Sequence, residues 1–312
     1  MIKHLQELIE QKAYAEFRKE VLELNEADVA SVVTELEEAE QLKIFRILPK
    51  NIAADVFSYL PIETQQDILV SLTDKEASGI IENLYADDAA DLLEEMPANV
   101  VHRLLALTSP ETRRDINQLL QYPEDSAGSI MTVEYIDLKE ETTVAQAIEK
   151  IRTTGIDKET INNCFVLDRA RHLIGIVTLR KLLLSSPEES VQDVMTDNVI
   201  SVKTLTDQEE VARIVMKYDF TVVPVVDSEN RMVGIVTVDD VVDIIEQEAT
   251  EDIEKVAAIT PTDKPYMRTG VLETFWKRIP WLMFLMLSAT FTSMILTSFE
   301  DMLAVQAGLV AF

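Results

Sequence analysis

The chain has 312 residues, is 47% hydrophobic, and carries 56 acidic against 28 basic residues for a formal net charge of -28. Its length and apolar content allow two or three domains with ordinary cores and exclude a disordered acidic tail. The charge disfavours nucleic acid and the anionic face of a membrane as partners, because both repel such a surface, and it favours cations.

In chain order, the first segment, Met1-Ile2-Lys3-His4-Leu5-Gln6-Glu7, mixes charges into its first turns and lacks the continuous apolar core of a signal peptide. Export is not expected. From residue 1 to 125, leucine, isoleucine and alanine recur at steps of three and four between acidic residues, which predicts an all-α N domain. Ala53-Ala54-Asp55-Val56-Phe57-Ser58-Tyr59-Leu60-Pro61 returns 36 residues later as Ala89-Ala90-Asp91-Leu92-Leu93-Glu94-Glu95-Met96-Pro97. This echo predicts a superhelical stack of helix pairs. Each proline is expected to end one helix and to open the next at its first position, where the missing amide is harmless.

After Tyr122-Pro123-Glu124-Asp125-Ser126 the pattern changes to short Val/Ile-rich runs alternating with helices. Ile130-Met131-Thr132 recurs as Val194-Met195-Thr196, and Leu173-Ile174-Gly175-Ile176-Val177-Thr178 recurs 59 residues later as Met232-Val233-Gly234-Ile235-Val236-Thr237. Two α/β modules are predicted, at 126–190 and 191–248, each running strand, helix, strand, turn, strand, helix. In the second, Asp227-Ser228-Glu229-Asn230 supplies the polar turn between 221–226 and 232–236.

From Asp239 the chain is acidic and helical, and 249–275 is predicted to be a connecting helix region that passes through Pro261 and Pro265. Ile279 to Phe299 is 21 residues without a charge, which at about 1.5 Å per residue matches a hydrocarbon core of roughly 30 Å. Lys277 and Arg278 precede this span, Trp276 and Trp281 flank its start, and Glu300 and Asp301 follow it. The positive-inside rule puts the N-terminal region in the cytoplasm. Met302 to Phe312 is expected to be a second span cut short, so 276–312 reads as the start of a membrane domain.

Enzyme chemistry finds no footing. There is no G-x-S-x-G elbow, no glycine loop for phosphate and no cysteine–histidine pair at plausible spacing. The single cysteine, Cys164, lies in an apolar run and reads as a buried small hydrophobe. His4, His102 and His172 are scattered and read as surface residues. The sharper signal is Gly234-Ile235-Val236-Thr237-Val238-Asp239-Asp240, a strand running into a helix whose first turn offers a hydroxyl and a carboxylate. Such a helix start can hold ribose through the carboxylate and phosphate through the hydroxyl and amides.

These paired repeats resemble a tandem of cystathionine-β-synthase (CBS) domains, whose motif is a glycine, two apolar residues, Thr or Ser, two further residues and Asp. The first repeat departs from it, with Lys181 where the aspartate belongs. The order of parts, together with Tyr218-Asp219-Phe220-Thr221-Val222-Val223-Pro224 and Glu248-Ala249-Thr250-Glu251-Asp252, resembles the MgtE family of magnesium transporters from about residue 20 to 312. The resemblance implies Mg²⁺ sites drawing on Asp55, Asp87, Asp88 or Asp91 in the N domain and on Asp219, Asp240 and Asp243 in the CBS tandem. Glu248, Glu251 and Asp252 would lie on the connecting helix, facing the membrane domain. It further implies ATP or another adenine nucleotide near Arg180, Phe220, Thr237 and Asp240, a homodimer joined through the CBS domains, and a place in the plasma membrane, multi-pass in the complete protein.

The residues agree with such sites. Mg²⁺ takes oxygen ligands and usually one or two carboxylates. Asp87 and Asp91, like Glu248 and Asp252, stand four apart on one helix face and repel each other unless a cation intervenes. Read without the resemblance, a solvated acidic face stays open. So does a membrane-tethered adenine-nucleotide sensor that moves no ion.

Overall fold

Helix starts recur every twelve residues along the N-terminal region. The structure, a computed structural model, describes residues 2–256 and 271–299. After α1 (Ile2–Glu10) come α2 (Tyr14–Glu20), α3 (Glu26–Thr34), α4 (Glu38–Ile47), α5 (Lys50–Ser58), α6 (Ile62–Ser71), α7 (Asp74–Ile81), α8 (Ala86–Glu94), α9 (Ala98–Leu107) and α10 (Pro110–Leu119). Each is two to three turns long, too short to persist alone in water, so each depends on its buried apolar face. Alternate helices pack on each other: α3 on α5, α5 on α7, α7 on α9, and α4 on α6, α6 on α8, α8 on α10. The N-terminal region therefore has two layers. The 36-residue echo spans three helices rather than a pair, and it carries α5 of one layer onto α8 of the other.

The connectors explain the regularity. Pro49, Pro61 and Pro97 stand just before α5, α6 and α9 with φ of -59°, -55° and -57° and ψ of 135°, 142° and 134°. They occupy the N-cap, one position earlier than the sequence suggested, because extended ψ keeps the ring clear of the preceding turn. Pro110 does take the first helical position, after Ser109, whose side chain accepts from the amide of Thr112. Thr73 and Glu76 form a reciprocal capping box at α7. Gln65 is buried, and its Nε2 donates to the carbonyls of Phe57 and Leu60, both at 2.9 Å, closing the open end of α5.

The next region holds two lobes of like design. The first contains β1 (Ile136–Lys139), α11 (Val144–Thr154), β2 (Asn163–Leu167), β3 (Leu173–Thr178) and α12 (Leu179–Leu184). After α13 (Val191–Val194), the second contains β4 (Val202–Lys203), α14 (Gln208–Tyr218), β5 (Val222–Val226), β6 (Met232–Thr237) and α15 (Val238–Val256). In each sheet the first two strands are parallel and the last two antiparallel. The order read from the sequence is found in both.

The lobes are tied by exchanged segments. Thr132, ahead of the first lobe, bridges Ile235 of β6, and Thr196, ahead of the second, bridges Ile176 of β3. Each preceding methionine lies over the glycine of the opposite lobe. A Cβ on Gly234 would stand 2.6 Å from Met131 Sδ and 2.7 Å from the Thr132 carbonyl oxygen, and one on Gly175 would stand 2.4 Å from Met195 Sδ. Both sequence repeats thus serve one contact. A shared core of Tyr135, Phe165, Leu167, Val222, Met232 and Ile235 lies between the lobes. Cys164 is buried and unpaired, and burial pushes its thiol up to about 12.

Two compact units are distinguished, 1–241 and 242–312. In the second, α15 continues unbroken across residue 248 to Val256, and α16 (Val271–Ser298) contains the 21-residue stretch Arg278–Ser298, of mean hydropathy 1.8, long and apolar enough to cross a membrane. Pro261, Pro265, Glu300, Asp301 and the expected second span at 302–312 lie outside the described residues.

Candidate cation-binding site

The site is assembled by four segments of the first unit. The first turn of α8 presents Asp87 and Asp88, with Asp91 one turn on, and Tyr85 is its N-cap. The first turn of α15 presents Asp239 and Asp240. The crossing segment after Thr132 supplies Glu134, and the loop before β2 supplies Glu159. The last two were not singled out in the sequence.

The charges of these groups act on one another. Burial, then Asp240, Asp88, Glu159 and Glu134, hold the Asp87 carboxyl well above the usual carboxylate range. Burial and the charges of Asp240, Asp239 and Glu134 raise half-buried Asp88 to about 6. Asp91 reaches solvent, and desolvation together with Asp88, Asp240 and Glu94 raises it to about 7. Desolvation, Asp239, Asp240, Asp88 and Glu134 raise Glu159 to about 7. The Tyr85 phenol, desolvated beside Glu159, Asp55, Glu134 and Asp87, is pushed to about 12. The charges that raise these groups are all negative, and like charges in a desolvated site favour the neutral form.

One atom carries the need for a partner. Asp87 Oδ1 is shut off from solvent and accepts no hydrogen bond among the described residues. A buried carboxylate oxygen without a donor is costly, whereas a cation or its water shell satisfies it. Among the described residues no three carboxylate, imidazole or thiol groups converge closely enough to chelate an ion by themselves. Few direct protein ligands suffice for an ion that retains most of its waters, as Mg²⁺ does.

The other expected ligands are placed elsewhere. Asp55 is exposed on α5, its carboxyl raised by desolvation and by Glu26, and its charge acts on the Tyr85 phenol. Asp219 is exposed and closes α14 in the left-handed conformation at φ 53°. Asp243, Glu248, Glu251 and Asp252 lie on α15 past Val241, in the second unit, where Glu251 pairs with Lys255 at 2.6 Å. His4 and His102 are exposed, and half-buried His172 pairs with Asp168 at 2.9 Å.

The expected nucleotide residues fall at the ends of the two lobes. Thr237 Oγ1 donates to Asp240 Oδ2 at 2.6 Å, and the amide of Val238 donates to the carbonyl of Thr221 at 3.1 Å, fixing the start of α15 beside the start of β5. Phe220 stacks on Tyr218 with centroids 5.3 Å apart. Arg180 is exposed on α12, where Thr178 caps the helix by accepting from the Lys181 amide. Asp240 thus belongs to both the carboxylate cluster and the hydroxyl–carboxylate pair of the strand–helix turn.

Comparison with known proteins accords with this arrangement. Residues 24–125 match the MgtE intracellular N domain, and 127–188 and 191–247 each match the CBS domain. The crystal structure of the cytosolic domain of the Mg²⁺ channel MgtE in complex with ATP superposes with a TM-score of 0.74 at 39% identity, covering 78% of this chain and 100% of that one. This chain belongs to the MgtE family.

The soluble part of a magnesium transporter is also similar, with a TM-score of 0.74, 32% identity, and 80% and 98% coverage of the two chains. Among curated proteins, the magnesium transporter MgtE of Thermus thermophilus is 45% identical over 201 residues, 64% of this chain and 45% of that protein. That of Bacillus subtilis is 41% identical over 192 residues, 60% and 41% of the two. The chain spans less than half the length of these relatives.

Proposed function

We propose that this chain is the cytosolic magnesium-reading part of a magnesium transporter or channel subunit, joined to its first membrane-spanning helix. The observation that carries the reading is the buried, unpartnered oxygen of Asp87 among Asp88, Asp240, Glu134 and Glu159. Two like charges 4 Å apart cost on the order of 4 kcal/mol at an effective dielectric of 20, so a few such pairs outweigh the modest difference between two domain arrangements. Mg²⁺ reverses that balance by binding the docked arrangement better, and its concentration sets the population. The working parts are an N domain at 1–125, CBS lobes at 126–190 and 191–248, a connecting helix region at 249–275 and the start of a membrane domain at 276–312.

At high cytosolic magnesium, Asp87, Asp88 and Asp91 are held to Asp240, and further ions gather on Asp55, Asp219, Asp243, Glu248, Glu251 and Asp252. The compact dimer so formed keeps the pore of the complete protein closed, and loss of magnesium releases it. The exposed apolar side chains Leu183, Leu184, Leu205 and Met216 on the CBS tandem support a second copy as the partner there. ATP or a related adenine nucleotide would be held by Arg180, Phe220, Thr237 and Asp240, and coupled to magnesium by linkage. The family and the apolar stretch of α16 support a plasma-membrane protein, multi-pass when complete. Small-angle scattering of the chain in detergent against Mg²⁺ concentration tests the reading: compaction supports it, and an unchanged profile overturns it. Nucleotide binding without compaction would instead favour a nucleotide sensor that moves no ion.

A further inference from the structure

We infer that Glu134 and Glu159 form a further wall of the cation site, on the first CBS lobe, and recognise the water shell of a divalent cation held between α8 and the start of α15. The inference rests on the magnesium reading above and names two residues that the sequence resemblance did not supply.

The two carboxylates are built into place. The Glu159 amide donates to the Glu134 carbonyl at 2.9 Å, so the residues are joined through the backbone. The Glu134 carboxylate accepts from Thr132 Oγ1 at 2.5 Å and from the Val133 amide at 3.1 Å, which fixes its orientation. Thr132 in turn exchanges backbone hydrogen bonds of 2.8 and 2.9 Å with Ile235, in the strand that leads into Thr237 and Asp240. One bridge therefore holds the Glu134–Glu159 wall and the Asp239–Asp240 wall in fixed relation. Neither glutamate forms an ion pair with a lysine or arginine among the described residues.

The chemistry of the ligand follows. Mg²⁺ recruits one or two carboxylates directly and keeps several waters, each of which donates hydrogen bonds. The carboxylates gathered here exceed that number, and the sealed Asp87 Oδ1 belongs to a carboxyl on which the charges of Asp240, Asp88, Glu159 and Glu134 act. Glu134 and Glu159 act as acceptors for the waters and as counter-charge for the ion. An ion that sheds its waters readily gains less from such a wall, so the class favoured is a tightly hydrated divalent cation.

The test uses the full chain in detergent. Hydrogen–deuterium exchange of the α8 peptide is followed against MgCl₂ for the wild type, Glu134→Gln, Glu159→Gln and the distant Glu149→Gln, with thermal unfolding as a check on folding. In each wall variant α8 is more protected than wild type without Mg²⁺, because a repulsive charge is gone. The Mg²⁺ midpoint rises three- to tenfold, because the same charge attracted the ion. A merely structural residue does not move these two readouts in opposite senses, and Glu149→Gln moves neither. Less protection without Mg²⁺, or midpoints within twofold of wild type in both variants, overturns the inference while leaving the magnesium reading intact. A wild-type chain with no response to Mg²⁺ overturns both.

Discussion

Replacing Asp88 by asparagine should strengthen docking of α8 in the absence of magnesium while weakening the response to it. The Asp88 carboxyl is raised from 3.8 to about 6 by burial and by Asp240, Asp239 and Glu134. About two units at about 1.4 kcal/mol each give about 3 kcal/mol, and partial solvent screening at a half-buried position trims this to about 2 kcal/mol. A carboxyl whose docked value lies above its free value binds more protons when docked, so docking weakens as pH rises from about 4 through about 6. The penalty is complete above about pH 7 and roughly halved at pH 5. Asp88→Asn should therefore gain about 2 kcal/mol of Mg²⁺-free docking at pH 7.5 but about 1 kcal/mol at pH 5. Hydrogen exchange of α8 at the two pH values reads both quantities. Equal gains at the two values, or weaker docking at pH 7.5, would refute the electrostatic account.

Four further outcomes are expected. Gly234→Ala should lower stability by about 1–3 kcal/mol, seen as a fall in thermal midpoint, because its Cβ meets a backbone carbonyl as well as Met131. Gly175→Ala should cost less, since the atoms it meets belong to the flexible Met195 side chain. Gln65→Ala should cost about 1–3 kcal/mol in denaturant titration, by leaving the buried carbonyls at the end of α5 without their donor. Phe220→Ala should weaken ATP binding about tenfold by calorimetry, the value of one lost aromatic stack, with the thermal midpoint little changed; undiminished affinity would remove Phe220 from the nucleotide site.

The helical class of the first region and the two α/β lobes were legible because both rest on local periodicity and on repeats. The carboxylates of α8 were legible for the same reason, since Asp87 and Asp91 share a face four residues apart. Glu134 and Glu159 carry no such mark. Neither has another carboxylate of the site near it in sequence, and the segment at Thr132 crosses to the lobe that carries Asp239 and Asp240. The repeated Met-Thr pair was the available signal, for it marks the crossing, and a carboxylate lies two residues beyond it. Asp55 shows the opposite case. The echo equates it with Asp91, yet an odd number of helical steps separates them, and the copy is carried into the other layer.

The twelve-residue step has a consequence for how this region tolerates change in length. Removing one step would pass every later helix to the opposite layer and turn α8 away from the carboxylates of the CBS lobes. Removing two would restore the parity. Twenty-four residues is thus the smallest increment by which the stack can shorten or lengthen ahead of α8 and still deliver Asp87 to the same face.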